Sequence, residues 1–193
     1  WYHFVIAFDT TQSTDTDRMK IYIDGEQISS FSSITYPGQN QDLYNVMAGG
    51  YHVLGLGYNA KWDGAFAEVN LVENQMLTPS TFGVTDTSTG YWIPKALSSI
   101  NYGTNGFRLE FANSAGQTIG DDTSGNTNDF SVTNSVVADI MVDTPTQNFT
   151  NMNGDNTGSF TIAEGGLNIT SPGSGQYEQI VGCPDFGVAT GKW

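Results

Sequence analysis

Basic residues are scarce in this chain, which carries 6 Lys and Arg against 20 Asp and Glu and has a formal net charge of −14. The six basic residues are scattered along the sequence, so no basic patch is expected. An acidic surface repels phosphate backbones and anionic lipid headgroups. Nucleic acids and membrane surfaces are therefore excluded as expected partners.

Cysteine, histidine and long hydrophobic runs are also in short supply. Cys183 is the single cysteine, so no internal disulfide is expected, and no basic neighbour activates its thiol. His3 and His52 are the only histidines, and neither has a second His or a Cys at zinc-ligand spacing. No run approaches the roughly 20 apolar residues of a transmembrane helix, so membrane insertion is not expected.

Helical periodicity is nearly absent, and an alternation of apolar and polar residues takes its place. The chain of 193 residues is 38% hydrophobic and 12% aromatic, which is enough to form a core. Clusters of Gly, Asn, Asp and Thr interrupt the alternation at short intervals. The pattern predicts strands over residues 3–8, 18–23, 51–58, 65–73, 107–111, 129–133 and 137–142. Many short strands joined by turn-rich loops are typical of an all-β antiparallel sandwich or jelly roll.

Three local signals are sharper than the rest. In the first strand Phe4, Ile6 and Phe8 share one face. The pair Asp24-Gly25 follows the second strand, and both residue types tolerate the positive φ of a type I′ turn, which predicts a hairpin. A threonine at position 78 followed by Pro79 predicts a single helical turn there.

The character of the sequence changes near residue 143. Residues 1–145 are predicted to form most of one jelly roll whose N-terminal strands are missing. Residues 146–158 are polar and turn-rich, which is typical of a linker, and residues 159–193 are predicted to begin a second β unit. The opening residues WYHFVIAF have the pattern of a strand that begins before Trp1, so the chain is expected to be a fragment of a longer protein.

Several stretches, taken in order, resemble one family. WYHFVIAFDTTQ followed by DRMKIYIDGEQI resembles the central hairpin of concanavalin A-like, laminin G-like jelly rolls. Three further stretches follow in the order of that fold: YPGQNQD, HVLGLG and DGAFAEVNLVENQMLTPSTFG. WIPKAL, YGTNGFRLEF and DDTSGNTNDF complete a pattern similar to virion proteins of marine tailed phages. Near the C-terminus, GLNIT and VATGKW resemble the beginning of a SPRY-type β-sandwich.

This resemblance implies binding, adhesion and particle assembly more often than catalysis. It implies a tail fibre or capsid-attached fibre on the virion surface, packed against other virion subunits as a homo-oligomer. The implied ligand is a host surface polysaccharide, and no cofactor is required. The alternative is a secreted glycan-binding module or a laminarinase-like glycosidase. Fold likeness alone does not fix which of these functions applies.

One pair of carboxylates bears on the glycosidase alternative. Laminarinase-type enzymes of this fold carry Glu-x-Asp-x-x-Glu, and retaining hydrolysis needs two carboxyls about 5–5.5 Å apart. Here Asn70 replaces the central Asp between Glu68 and Glu73. The odd spacing also sends the two glutamates to opposite faces of a regular strand. The chain is therefore expected not to be an enzyme.

A dense set of oxygen-bearing side chains predicts either a calcium site or a turn. Calcium takes six to eight oxygen ligands, whereas Asx side chains also cap their own backbone. The spacing differs from that of an EF-hand loop, and turn chemistry is the favoured alternative. The set consists of Asp121, Asp122, Ser124, Asn126, Asn128 and Asp129.

Aromatic residues in loops and at strand ends are the candidate glycan-binding residues. Flat sugar faces stack on exposed aromatic rings, and the same rings also pack against neighbouring subunits. Subunit packing is the favoured role and glycan binding the second. The candidates are Tyr36, Tyr58, Trp62, Tyr91 and Trp92.

Overall fold

The computed structural model describes residues 1–43, 51–55, 62, 64–112, 116–133, 140–141, 144–146, 161–163 and 168–170. The described strands are β1 Phe4–Phe8, β2 Met19–Ile23, β3 Glu26–Ile28, β4 Val69–Leu71, β5 Gly83–Thr85, β6 Trp92–Pro94, β7 Phe107–Leu109, β8 Thr161–Ala163 and β9 Asn168–Thr170. Every pairing between them is antiparallel. Two short 3₁₀ helices, Asp15–Asp17 and Pro79–Thr81, are the helical elements of this part of the chain. The all-β expectation is thereby confirmed.

The chain divides into two compact units, Trp1–Thr133 and Asn134–Trp193. The first unit therefore ends at Thr133, whereas the change in composition predicted that the first domain would end at residue 145. In the second unit, β8 pairs with β9 in an antiparallel register that places Ile162 opposite Ile169.

The first sheet of the larger unit has the strand order β1-β2-β3. The turn between β2 and β3 has positive φ at Asp24 (48°) and Gly25 (86°), the values of a type I′ turn. The predicted hairpin is confirmed. Asp24 also extends the pairing to the start of β1, since its backbone N–H donates to the carbonyl of His3 at 2.8 Å.

β1 exposes the more apolar of its two faces. Phe4 and Ile6 are 57% and 47% exposed, whereas Ala7 on the other face is buried and His3 and Val5 are half-buried. Hydrophobicity alone favours the opposite arrangement. The orientation is set by the residues that pack under the sheet, described below.

The buried centre of the described residues lies around β4 and β7. Leu109 is fully buried in β7, together with Phe107 and the nearby Tyr102. The Tyr102 hydroxyl donates to Asn70 Oδ1 at 2.7 Å, which satisfies the polar end of this core side chain. A Cβ at Gly106 would lie 2.0 Å from the carbonyl oxygen of Tyr102, so glycine allows the backbone to approach closely there.

β5 and β6 form a small hairpin that follows the second 3₁₀ helix. Thr78 and Pro79 begin this helical turn as predicted, and the N–H of Phe82 donates to the Pro79 carbonyl at 2.8 Å. The Lys95 N–H donates to the Phe82 carbonyl at 3.0 Å and continues the pairing beyond β6. Neither β5 nor β6 was among the predicted strands, because GVT and WIP are too short to show alternation.

Two of the predicted strands are shorter in the structure than the sequence pattern indicated. The prediction over 65–73 is reduced to β4, since Glu68 (φ 52°) and Asn74 (φ 61°) leave extended geometry on either side. The prediction over 107–111 is reduced to β7 because Phe111 has φ 52°.

Two strand predictions are wrong where the structure describes them. Residues 51–55 form no strand, and Gly55 has φ 80°, while residues 56–58 lie outside the described residues. The predicted strand over 129–133 is replaced by irregular chain, in which the Phe130 N–H donates to the Gly120 carbonyl at 2.8 Å. Of the predicted strand over 137–142, residues 140–141 are not in a strand and the others lie outside the described residues.

Candidate binding surface

Two of the five predicted aromatic site residues are well exposed. Trp62 is 59% exposed and Tyr91 is 74% exposed. Tyr36 is half-buried, and Tyr58 lies outside the described residues. Among the described members of this set, Trp62 and Tyr91 are therefore the rings that solvent and a ligand can reach most readily.

The Trp62 indole is held by other aromatic rings. It stacks on Phe66 with ring centroids 5.2 Å apart and an interplanar angle of 24°. Phe66 in turn lies 6.4 Å from the ring of Phe111. The Trp62 backbone N–H donates to the Gly55 carbonyl at 3.0 Å, which fixes the chain at the base of the side chain. A fixed ring with much of its surface exposed can accept a flat apolar ligand face at low entropic cost.

Tyr91 lies at the end of the tight turn that joins β5 to β6. Asp86 organises this turn, accepting bonds from the Ser88 N–H at 2.9 Å and from the Thr89 hydroxyl at 2.7 Å. These hydrogen bonds hold the pKa of Asp86 below its ordinary value. The Asp86 N–H closes the turn on the Tyr91 carbonyl at 2.8 Å. The backbone that carries the exposed Tyr91 ring is thus well defined.

Trp92 has a packing role. Its ring stacks on His3 with centroids 5.7 Å apart and an angle of 26°. A Cβ at Gly25 would come within 2.4 Å of this ring, and a Cβ at Gly83 would come within 2.4 Å of its Nε1. Trp92 therefore joins the β2–β3 turn to β5, and its contacts favour the structural alternative over glycan binding.

His3 completes this junction. Phe82 lies 6.2 Å from its ring, and the His3 N–H donates to Asp24 Oδ1 at 2.7 Å. The buried Nδ1 of His3 and Nε1 of Trp92 have no hydrogen-bond partner. Burial lowers the pKa of His3 below its ordinary value, and the nearby Asp24 carboxylate opposes this shift.

Asp122 is the centre of the predicted calcium loop. Its Oδ1 accepts the N–H of Arg108 and the N–H of Ser124, each at 2.8 Å. Its Oδ2 accepts the Ser124 hydroxyl and the Asn128 N–H, each at 2.9 Å. Burial alone raises the pKa of Asp122, but these four hydrogen bonds outweigh it and the pKa is lowered.

The other members of the loop also bond to the protein. Both oxygens of Asp121 accept bonds from Thr118, and Asp129 Oδ1 accepts the Asp122 N–H at 2.9 Å. Asn126 and Asn128 act as donors through Nδ2, and both bond to the Gly106 carbonyl at 2.9 Å. This loop therefore fastens the 103–106 turn and β7 to residues 118–129.

The same geometry bears on calcium. Asp121, Asp122 and Asp129 line one open depression. Among the described residues, however, no three His, Cys, Asp or Glu side chains converge closely enough to hold a metal ion. The oxygens of Asp121 and Asp122 already accept N–H and O–H donors, which a cation would have to displace. Calcium binding here stays a prediction, and the hydrogen bonds favour the turn alternative.

Glu68 and Glu73 have different partners. Glu68 forms an ion pair with Arg108, with Oε2 at 3.1 Å from Nη2, and Arg108 also contacts Glu110 at 2.7 Å. Glu73 Oε2 accepts the N–H groups of Thr104 at 2.9 Å and Asn105 at 3.1 Å. Each carboxylate therefore bonds to other groups of the fold, and the expected lack of glycosidase activity stays a prediction.

The exposed apolar face of β1 was not among the surfaces predicted from the sequence. Tyr2 is 84% exposed and precedes Phe4 and Ile6, whose exposed side chains face away from Trp92. Phe4 lies opposite Ile23, and Ile6 lies opposite Ile21. Because directly opposite residues share a face of the sheet, these four apolar side chains lie on the same side. Sequence alternation revealed the face but not which side of the sheet is covered.

Comparison of this chain with protein-family models, curated proteins and solved structures finds no match. No helix in the described part of the chain has the length and apolar character that a bilayer crossing demands.

Proposed function

We propose that this chain is an adhesion and assembly protein of a tailed-phage particle, such as a tail fibre or capsid-attached fibre. In this proposal a lectin-like jelly roll presents aromatic rings to host surface polysaccharide, and copies of the chain pack together on the virion surface. The phage assignment rests on the ordered stretches that resemble virion proteins. The adhesive role is supported by the exposed rings.

The observation that carries the adhesive role is the stacked pair of Trp62 and Phe66. Trp62 is 59% exposed while its ring is held 5.2 Å from that of Phe66. A sugar ring has an apolar C–H face that stacks on such a surface, and its hydroxyls bond to nearby polar groups. Tyr91 offers a second exposed ring on the hydrogen-bonded β5–β6 turn.

A purely architectural role is the second candidate. The exposed apolar face of β1 favours it, since such faces mark contacts with other molecules. The two roles are compatible, because different residues serve them. The glycosidase alternative is less well supported, since Glu68 and Glu73 are bonded to separate structural partners.

A glycan array with the 193-residue chain tests the adhesive role, run once with calcium and once with a chelator. We expect binding without product release. Trp62→Ala and Tyr91→Ala each lower the affinity about tenfold, equivalent to roughly 1.4 kcal/mol, because a stacking face is lost. Trp62→Phe and Tyr91→Phe keep a ring and serve as matched controls that retain most of the affinity.

The remaining outcomes separate the alternatives. Silence across the array rejects the adhesive role, and a defined oligomer in the same sample then supports the architectural one. Product release that Glu68→Gln or Glu73→Gln abolishes establishes a glycosidase instead. Loss of binding with the chelator, reproduced by Asp122→Asn, assigns calcium to the loop around Asp122.

A further inference from the structure

The pair Asn105-Gly106 lies in the turn that leads into β7. An asparagine followed by glycine is prone to deamidation, because glycine has no Cβ to shield its backbone nitrogen and little barrier to the conformation of attack. The chain contains one more such pair, Asn153-Gly154, which lies outside the described residues. Asn105 therefore has the intrinsic reactivity of a modification site.

The fold requires glycine directly after Asn105. A Cβ at Gly106 would lie 2.0 Å from the carbonyl oxygen of Tyr102 and 2.6 Å from that of Leu71. Both oxygens belong to backbone, which cannot move aside as a flexible side chain does. The reactive pair therefore cannot be removed by exchanging its second residue without disturbing β4 and the turn.

Glu73 holds Asn105 by side chain and by backbone. Glu73 Oε1 accepts the Asn105 Nδ2–H at 2.9 Å, and Oε2 accepts the backbone N–H groups of Asn105 at 3.1 Å and Thr104 at 2.9 Å. The bonds from Asn105 and Thr104 lower the pKa of Glu73, so the carboxylate is charged at neutral pH. Hydrogen bonds to a charged acceptor are among the stronger ones in proteins.

We infer that Asn105 is a latent deamidation site and that Glu73 keeps it unreacted while the chain is folded. The inference is independent of the proposed function, since it uses neither Trp62 nor Tyr91.

The reaction needs only water as a co-reactant. The Gly106 N–H loses its proton to hydroxide, and the nitrogen forms a bond to Cγ of Asn105. The Cγ–Nδ2 bond then breaks, and Nδ2 leaves as ammonia after it takes a proton from water. Water next opens the resulting succinimide at either carbonyl carbon, which gives aspartate or isoaspartate at position 105.

Glu73 opposes the first of these steps in two ways. The Asn105 side chain has to leave Glu73 Oε1 before its Cγ can approach the Gly106 nitrogen, so a charge-assisted hydrogen bond is lost. Negative charge also develops on the attacking nitrogen and on the amide oxygen. The Glu73 carboxylate, close to both, raises the energy of that anion.

Conversion of Asn105 would loosen the turn irreversibly. A carboxylate would replace the Nδ2 donor and face Glu73, and like charges at that distance repel. Isoaspartate would also add a methylene group to the backbone directly before the closely packed Gly106. Asn126 and Asn128 both donate to the Gly106 carbonyl, so the loop over residues 118–129 would lose its attachment as well.

Peptide mass spectrometry after incubation of the 193-residue chain at neutral pH tests the inference. In urea, Asn105 and Asn153 are expected to deamidate at comparable rates. In the folded wild type, Asn105 reacts at least about tenfold more slowly than in urea, since a charged hydrogen bond has to be broken first. Glu73→Ala removes this protection and raises the rate at Asn105 at least about tenfold in the folded chain.

Glu68→Ala is the matched control, because the Glu68 carboxylate pairs with Arg108 instead, and it leaves the rate at Asn105 unchanged. Urea unfolding of each variant shows that the chain is still folded during incubation. If Glu73→Ala does not fold, Glu73→Gln replaces it, and this variant accelerates the reaction because it lacks the charge and one acceptor. An Asn105 that stays unreacted in a folded Glu73 variant overturns the role of Glu73. An Asn105 that is inert in urea while Asn153 reacts overturns the site itself.

Discussion

The indole of Trp92 lies against Gly25, so closely that a Cβ at Gly25 would come within 2.4 Å of the ring. Gly25 is the second residue of the β2–β3 turn and has φ 86°. Glycine is therefore required at this position for two reasons: its backbone conformation is left-handed, and Trp92 occupies the space that a side chain would need. The contact joins the first sheet to the β5–β6 hairpin.

Replacement of Gly25 by alanine is expected to lower the free energy of unfolding by at least about 2 kcal/mol, since the left-handed conformation and the ring contact both oppose a side chain. Gly90→Ala is the matched control. Gly90 also has positive φ (77°), but nothing lies within 4 Å of its added Cβ. It should lose only about 1 kcal/mol. Urea unfolding of both variants measures the difference, and equal losses would contradict the contact with Trp92.

Acidification should weaken the same junction through His3. Its pKa is lowered by burial, so the folded chain favours the neutral imidazole. The stabilising contribution is complete above the unfolded pKa of about 6.5 and is lost as the pH falls from there toward the lowered folded value. The urea concentration at the unfolding midpoint of the wild type is expected to decrease as the pH is lowered from 7.5 to 5.

Two variants test the assignment to His3. His3→Gln should flatten the pH dependence in this range, because the glutamine does not titrate. Asp24→Asn should steepen it, because the carboxylate that favours the protonated imidazole is removed. An equal fall in the wild type and in His3→Gln would show that another group is responsible.

Asp122 should contribute to the acid sensitivity of the loop around it. Four N–H and O–H groups donate to its carboxylate and lower its pKa. Its contribution is therefore present above the unfolded pKa of about 3.9 and is lost as the pH falls through the lower folded value. We expect Asp122→Asn to cost about 1–2 kcal/mol at pH 7, since solvent screens part of the carboxylate.

Asp15→Ala is the control for this loop, because Asp15 is exposed and its carboxylate accepts one bond, from the Thr16 N–H at 2.7 Å. It should change the free energy of unfolding by less than about 0.5 kcal/mol. Urea unfolding from pH 7 to pH 3 measures both variants. If Asp122→Asn and Asp15→Ala lost equal stability at pH 7, Asp122 would not be the centre of the loop.

Local sequence patterns predicted those parts of the fold that depend on neighbouring residues. Alternation predicted β1 and β2, and the pair Asp24-Gly25 predicted the type I′ turn, because positive φ is a local property of those residues. The Thr78-Pro79 pair likewise predicted the short helical turn. For the oxygen-rich loop the sequence favoured turn chemistry, and the bonds from Ser124 to Asp122 are of this local kind. The bonds that join the loop to Arg108 and to the Gly106 carbonyl reach residues distant in sequence.

Which faces of the strands are covered depends on tertiary contacts. Phe4, Ile6 and Phe8 form the more apolar side of β1, yet Ala7 is the buried residue because the Trp92 junction packs on the other side. Trp92 and Tyr91 are adjacent, and both were candidate glycan-binding residues. Trp92, however, packs against Gly25 and Gly83, whereas Tyr91 is 74% exposed. Burial depends on partners distant in sequence, and a local pattern carries no information about which partners arrive.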